Sequence, residues 1–103
     1  MNLDEMIGGW FVGDFEPSVI RTKDFEVAVK KYKAGDKEAR HMHKIATELT
    51  VIISGKVLMN SQEHGEGSII EIHPNTSSDF EAIEDTVTVV VKTPSVAGDK
   101  YIL

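Results

Sequence analysis

Residues 35–55 of this 103-residue chain read GDKEARHMHKIATELTVIISG, and this stretch decides the fold. The run from Glu48 to Ser54 is rich in β-branched residues, which is typical of a strand, and Arg40 to His43 fits a shorter one. Gly35 and Gly55 bound the stretch, and glycine is well suited to the sharp turns that join strands. The stretch therefore predicts two consecutive strands connected by a short loop.

The same pattern continues on both sides of this stretch. Short β-rich runs alternate with turn residues from residue 25 to residue 92, and we expect about seven short strands in all. The expected strands cover residues 26–32, 40–43, 48–54, a hairpin of 57–59 with 62–64, then 68–72, 78–82 and 86–92. Helix signals are weak and confined to the first dozen residues. Such a pattern predicts an all-β sandwich or barrel.

The chain has the length and composition of one ordinary globular domain, with 41% hydrophobic and 27% charged residues. We expect residues 25–103 to form this domain and residues 1–24 to be an N-terminal segment that packs on it. Trp10, Phe11 and Phe15 make the N-terminal segment too aromatic for a free tail. A lid with glycine hinges is the alternative role for this segment.

Composition excludes several classes of function. The chain has no cysteine, so it has no disulfide framework, thiolate nucleophile or cysteine zinc site. A net charge of −6 argues against nucleic acid and anionic membrane surfaces as partners. No signal peptide or membrane-spanning run is visible, so we expect a cytoplasmic protein. The lysine-rich stretch from Lys30 to Lys44 is either a solvated strand edge or an electropositive rim that attracts an anionic ligand.

Three residues of the opening stretch are candidates for a metal site. Side chains in a strand alternate between its faces, so His41 and His43 point the same way, about 7 Å apart. Glu48 follows after a gap of four residues, which lets the chain turn and bring a carboxylate beside the two imidazoles. Two histidines and one carboxylate are the ligands of many non-haem iron sites, and manganese, nickel or zinc also suit them. We predict that these three side chains form a catalytic or metal-binding cluster inside the domain.

The spacing Gly35-x5-His41-x-His43-x4-Glu48-x6-Gly55 resembles the first motif of the cupin superfamily, Gly-x5-His-x-His-x3-4-Glu-x6-Gly. The resemblance spans roughly residues 25 to 92. It implies a small single-domain protein built as an antiparallel jelly-roll (cupin) barrel, commonly a homodimer. It also implies that the motif holds a divalent metal ion such as Fe, Mn, Ni or Zn.

The second cupin motif, Gly-x5-Pro-x-Gly-x2-His-x3-Asn, is degenerate in this chain. Gly67 fits its first position, but Ser78 stands where the motif has its ligand histidine. The fourth metal position is therefore open to water, to substrate or to nothing. Two replacements are possible: a β-bulge that turns Asp79 inward, or His73 reaching over the mouth of the barrel.

Alternate positions of the predicted 48–54 strand suggest what lies on its two faces. Thr50 and Ile52 share the parity of Glu48 and, together with Tyr32, are candidates to line the pocket. The intervening residues are apolar, and they either pair two subunits or face the second sheet of the same domain; they are Leu49, Val51 and Ile53. We expect a homodimer.

Three functions fit these features, and the sequence does not decide whether the protein is an enzyme. In the first, a metal held by the cluster polarises a carbonyl or enolate oxygen, or activates dioxygen; the resemblance implies small organic acids, diketones or sugars as substrates. In the second, a metal-free isomerase or epimerase of a sugar or sugar nucleotide uses His41 or His43 as the base, oriented by Glu48. In the third, the protein is a non-catalytic sensor or partner protein that binds a small ligand.

Overall fold

The computed structural model describes all 103 residues and contains ten strands and one 3₁₀ turn at Leu3–Glu5. In chain order the strands are β1 (Trp10–Val12), β2 (Glu26–Tyr32), β3 (Lys37–Met42), β4 (Thr47–Ser54), β5 (Lys56–Met59), β6 (Gln62–Gly65), β7 (Ile69–Ile72), β8 (Ser78–Ala82), β9 (Thr86–Thr93) and β10 (Tyr101–Ile102). Each run predicted from the sequence corresponds to one of these strands. No helix is long and apolar enough to span a bilayer.

The strands form two five-stranded antiparallel sheets, in the orders β1-β2-β9-β4-β7 and β10-β3-β8-β5-β6. The predicted all-β, antiparallel jelly roll is therefore confirmed. The predicted closed barrel is not, because no strand of one sheet is hydrogen-bonded to a strand of the other. The four edge strands are only two to four residues long, which ends each ladder before the sheets can join. The domain is a two-sheet sandwich with open edges.

The strands near the two ends of the chain were not predicted from the sequence. β1 and β10 are too short to show an alternating pattern, and each extends the edge of a sheet. Trp10 of β1 lies opposite Ala28 of β2, and Ile102 of β10 lies opposite His41 of β3. Residues near the C-terminus are thereby brought next to β3, which carries His41, whereas β1 lies at the far edge of the sheet that contains β4.

The hydrophobic core lies between the sheets. Alternation along β4 turns Thr50 and Ile52 inward, and Ile52 is fully buried, as is Val57 of β5. Burying one such aliphatic side chain stabilises the fold by about 1.5–3 kcal/mol. The full core cluster is Ile52, Val57, Met59, Ile72, Phe80 and Ala82.

Apolar side chains also lie on the outer face of the first sheet. Ile53 is 47% exposed and Ile69 of β7 is 69% exposed. Val51 pairs with Ile69 and therefore shares that outer face. The homodimer expected from the sequence stays a prediction, and this face is the apolar surface available to it.

The two glycines that bound the opening stretch differ in their surroundings. Gly35 and Gly55 have φ values of +94° and +96°, which L-residues rarely adopt. A Cβ on Gly55 would lie 2.4 Å from the carbonyl oxygen of Asp85, whereas a Cβ on Gly35 would meet no atom within 4 Å.

We therefore expect Gly35→Ala to lower the free energy of unfolding by about 1–2 kcal/mol through backbone strain alone. Gly55→Ala should cost at least about 2 kcal/mol more, because the clash with backbone adds to the same strain. Urea denaturation of the two variants measures both values. Equal losses would contradict the close approach at Gly55.

Candidate metal centre

The three predicted ligands meet between the two sheets. His41 lies near the end of β3, His43 directly follows that strand, and Glu48 is the second residue of β4. One ligand atom from each residue can be chosen so that all three lie within 4.8 Å of one another. Both histidines are buried, and their ring centroids are 5.4 Å apart. The predicted residues therefore converge on one point, and their chemical role stays a prediction.

The hydrogen bonds of the two imidazoles fix which nitrogen faces this point. His41 Nδ1 lies 3.0 Å from the carbonyl oxygen of Ala39, and His43 Nδ1 is hydrogen-bonded to the carbonyl oxygen of Asp99. A carbonyl oxygen can only accept, so each Nδ1 carries a hydrogen and donates it. In the neutral rings each Nε2 then carries a lone pair, and Nε2 of His43 lies 3.3 Å from Glu48 Oε1. In metal-binding histidines, too, one ring nitrogen binds the metal while the other donates its hydrogen to a carbonyl, a carboxylate or water.

Asp99 holds the loop between the two strands as well as the His43 ring. Its carboxylate accepts hydrogen bonds from the backbone N–H groups of Lys44, at 2.9 Å, Ile45, and Ala46, at 2.9 Å. Burial raises the pKa of Asp99, but these backbone donors outweigh it and keep the pKa below its usual value. The loop and the His43 ring are thus fastened to a single residue near the end of the chain.

Glu48 and His43 each stabilise the charged form of the other. Burial raises the pKa of Glu48, but the hydrogen bond to His43 and one from Thr50 Oγ1, at 3.1 Å, outweigh it and lower the pKa. The hydrogen bond to Glu48 raises the pKa of His43 in spite of burial. The metal-free protein therefore favours a protonated His43 beside an ionised Glu48. A divalent cation bound here would take the place of that proton.

The cluster opens into a cavity of about 130 Å³ between the sheets. Tyr32 and Thr50 line this cavity, whereas Ile52 lies in the core instead. Apolar wall is supplied by Met59, Phe80 and Val90. The cavity thus combines the cluster at one end with an apolar wall that can contact hydrocarbon.

The fourth position of the site is occupied by Ser78, and both proposed replacements are wrong. Ser78 lies opposite His41 in the β3–β8 register, is buried and lines the cavity. Asp79 points away, because it is the next residue along the strand and binds Arg40, at 3.0 Å, and the N–H of Asn60, at 2.7 Å. His73 is exposed and lies 3.1 Å from Glu71.

Three lysines line the cavity. Lys30 Nζ lies 5.4 Å and Lys92 Nζ 4.7 Å from the centroid of the Trp10 ring, and Lys100 is the third. Lys92 is paired with Glu26 at 3.0 Å, whereas Lys30 forms no ion pair. Of the lysine-rich stretch singled out in the sequence, only Lys30 reaches the cavity.

Comparisons with known proteins define the fold. No protein-family profile matches the chain, and no curated protein matches it. Solved structures do match. An uncharacterized conserved protein with a double-stranded β-helix domain from Klebsiella pneumoniae is 22% identical, with a TM-score of 0.75 over 99% of this chain and 88% of that one. The DMSP lyase DddQ from Ruegeria pomeroyi is 15% identical, with a TM-score of 0.74 over 99% of this chain and 55% of that one.

A third structure carries the family name itself. A cupin-2 domain-containing protein from Shewanella frigidimarina is 14% identical, with a TM-score of 0.60 over 70% of this chain and 72% of that one. The chain is therefore a small domain of the cupin fold, the double-stranded β-helix. This confirms the resemblance inferred from the spacing of the opening stretch.

The Asp99 carboxylate anchors the backbone of Lys44 to Ala46, and this anchoring holds the Asp99 carbonyl in place for His43 Nδ1. We therefore expect Asp99→Ala, which keeps the carbonyl but loses the anchor, to weaken zinc binding about 10- to 100-fold without removing a ligand. Competition with a chromogenic chelator measures this change. Asp79→Ala is the matched control, since Asp79 also accepts a backbone hydrogen bond but lies outside the cavity. Equal zinc affinity in the Asp99 variant and the wild type would contradict the role of Asp99.

The charged pair also makes the stability of the metal-free protein depend on pH. The raised pKa of His43 adds stability that is fully present below 6.5 and is lost as pH rises through the raised value. The lowered pKa of Glu48 adds stability that is present above 4.5 and is lost as pH falls through the lowered value. Both contributions are complete only between these two ordinary values.

We therefore expect Glu48→Gln to lower the unfolding free energy of the metal-free protein by about 1.5–3 kcal/mol at pH 6. At pH 9.5 the loss should be smaller, because the stabilising charge of His43 is lost as pH rises through its raised pKa. Denaturant titrations at the two pH values test this, with the exposed Glu63→Gln as control. A loss of the same size at both pH values would show that the pair is not charged.

Proposed function

We propose that this domain binds a divalent metal ion through His41, His43 and Glu48 and uses it to hold a small anionic organic ligand in the cavity. One observation carries this proposal. Both imidazoles give Nδ1 to backbone carbonyls, so Nε2 is the nitrogen that each ring has left for a cation, and that of His43 lies 3.3 Å from Glu48 Oε1.

The donor set suits the metals expected from the sequence. Two neutral nitrogens and one carboxylate oxygen fit Fe(II), Mn(II), Ni(II) or Zn(II). Three protein ligands leave coordination positions for a ligand, and the hydroxyl of Ser78 is a poor competitor for them. When bound, the cation supplies Lewis acidity toward a carbonyl or carboxylate oxygen.

The charge of the cavity favours an anion. Three lysines line it, against the two carboxylates of Glu38 and Glu48. Lys92 is already paired with Glu26, so the remaining lysines and carboxylates balance, and a divalent cation would give the cavity an excess of positive charge. Lys30 has no carboxylate partner of its own. An anionic group on the ligand would supply that partner.

The size of the cavity limits the ligand. A dry cavity of about 150 Å³ is known to hold benzene, so about 130 Å³ suits a ligand of roughly five to eight non-hydrogen atoms. The apolar wall at Met59 and Phe80 favours a ligand with a hydrocarbon part over a purely polar anion. A short carboxylic acid meets both conditions.

We expect the purified, metal-supplemented protein to carry close to one equivalent of metal, and His41→Ala to carry less than about 0.1. Elemental analysis by mass spectrometry gives these values. His64→Ala is the matched control, since His64 lies in β6 outside the cluster. A wild-type protein without metal, or a His41 variant that keeps its metal, would refute the proposal.

The charge preference has its own test, with lactate and its neutral isostere lactamide as probes. We expect lactate to bind the metal-loaded protein at least about tenfold more tightly than lactamide in calorimetric titrations. Lys30→Met should remove most of that difference, whereas Lys31→Met, which alters the neighbouring exposed lysine, should not. Equal affinities for the two probes would contradict the anionic ligand.

A further inference from the structure

Two cavity residues outside the metal cluster form a pair of their own. The Tyr32 hydroxyl donates a hydrogen bond to Glu38 Oε1, and both side chains line the cavity. Glu38 Oε2 has no hydrogen-bond partner, and Glu38 forms no ion pair. The wall of the cavity therefore includes a half-buried carboxylate with one oxygen that accepts no hydrogen bond from another residue.

A bulge in β3 is what places Glu38 there. Glu38 and His41 are three residues apart, so in a regular strand they would face opposite sides. Glu38 lies opposite Phe80 and His41 opposite Ser78, so β3 has one more residue than β8 between these two pairs. This irregularity turns both side chains to the cavity, with their Cα atoms at most about 10 Å apart. Bulges that redirect a side chain in this way are frequent beside active sites.

Tyr32 is held in place as the donor of this hydrogen bond. Its ring packs on Phe80 with centroids 4.5 Å apart and an interplanar angle of 37°. Burial, and then the charge of Glu38, raises the pKa of Tyr32 well above its usual value, so the phenol keeps its proton. Glu38 is consequently the acceptor, and its orientation is fixed by a residue from the opposite sheet.

We propose that Glu38 is the acid–base residue of this cavity and takes a proton from the carbon next to a carbonyl group of the bound ligand. In this step the C–H bond breaks, the proton moves to Glu38 Oε2, and the bonding electrons pass into the carbonyl to give an enolate. Glu38 then trades this proton for one from solvent water and delivers it to the same carbon, while the electrons return from the enolate oxygen to re-form the carbonyl. This completes a hydrogen exchange with no oxidant or reductant. The ligand class is then a short 2-oxo acid or hydroxyketone.

Tyr32 is a positioning residue in this scheme, since it acts through Glu38. The inference rests on the proposed function in one respect: the cavity must be a ligand site that places a carbonyl between Glu38 and the cluster. It adds a reaction type that the metal cluster alone does not specify.

The test is hydrogen–deuterium exchange in D2O, followed by proton NMR. The probes are pyruvate and hydroxyacetone, each with the metal-loaded protein. We expect the protein to accelerate loss of the methyl protons of pyruvate at least about tenfold over the same metal in buffer. Glu38→Gln should reduce this protein-dependent rate about 100-fold or more, the usual contribution of a general base. The exposed Glu63→Gln is the control and should exchange at the wild-type rate.

A binding measurement gives a readout that does not depend on turnover. Oxalate is planar and anionic like the enolate of pyruvate, and the charge of Glu38 would repel it. Glu38→Gln should therefore bind oxalate at least about threefold more tightly than the wild type. Tyr32→Phe should leave oxalate affinity unchanged while lowering the exchange rate at saturating pyruvate about tenfold. A residue with a purely structural role would not separate these two quantities.

The outcomes separate the inference from the proposed function. A protein that holds no metal overturns the proposed function. If metal is bound but neither probe exchanges faster than in buffer, the inference is overturned and the metal site stands. Unchanged exchange or unchanged oxalate affinity in Glu38→Gln overturns the inference as well.

Discussion

Two hydrogen bonds from imidazole to backbone determine which nitrogen of each ring can bind a cation. Through them His41 and His43 each direct Nδ1 to a carbonyl oxygen, and the Nε2 of His43 is left to face the Glu48 carboxylate. Without a cation or a proton between them, a lone pair and a carboxylate at 3.3 Å repel each other. The geometry thus requires a positive charge at this point, and this requirement links the fold to its proposed chemistry.

The site is assembled from distant parts of the chain. Asp99, near the C-terminus, orients His43, while Trp10, near the N-terminus, lies beside two of the cavity lysines. Short edge strands at both ends of the chain carry these parts to the sheets. Elements that add little to the core therefore shape the cavity.

The sequence predicted the features that depend on local spacing. The alternation of β4 and the spacing from His41 to Glu48 suffice to place the ligands together, because strand geometry is regular over a few residues. Asp99 was missed because it is 56 residues away from His43, and no local pattern records that contact. Glu38 was missed because a bulge turns its side chain to the same face as His41. The rule that only alternate residues share a face assumes a regular strand. The open edges were missed because alternation shows which residues face inward but not whether two sheets join.

The central claim is that both histidines present Nε2 to a shared cation. Long-range proton–nitrogen correlation spectra of the zinc-loaded, ¹⁵N-labelled protein test it directly, since they distinguish protonated from coordinated ring nitrogens. The account predicts a protonated Nδ1 and a zinc-bound Nε2 for both His41 and His43. A zinc-bound Nδ1, or a protonated Nε2, in either residue would contradict it.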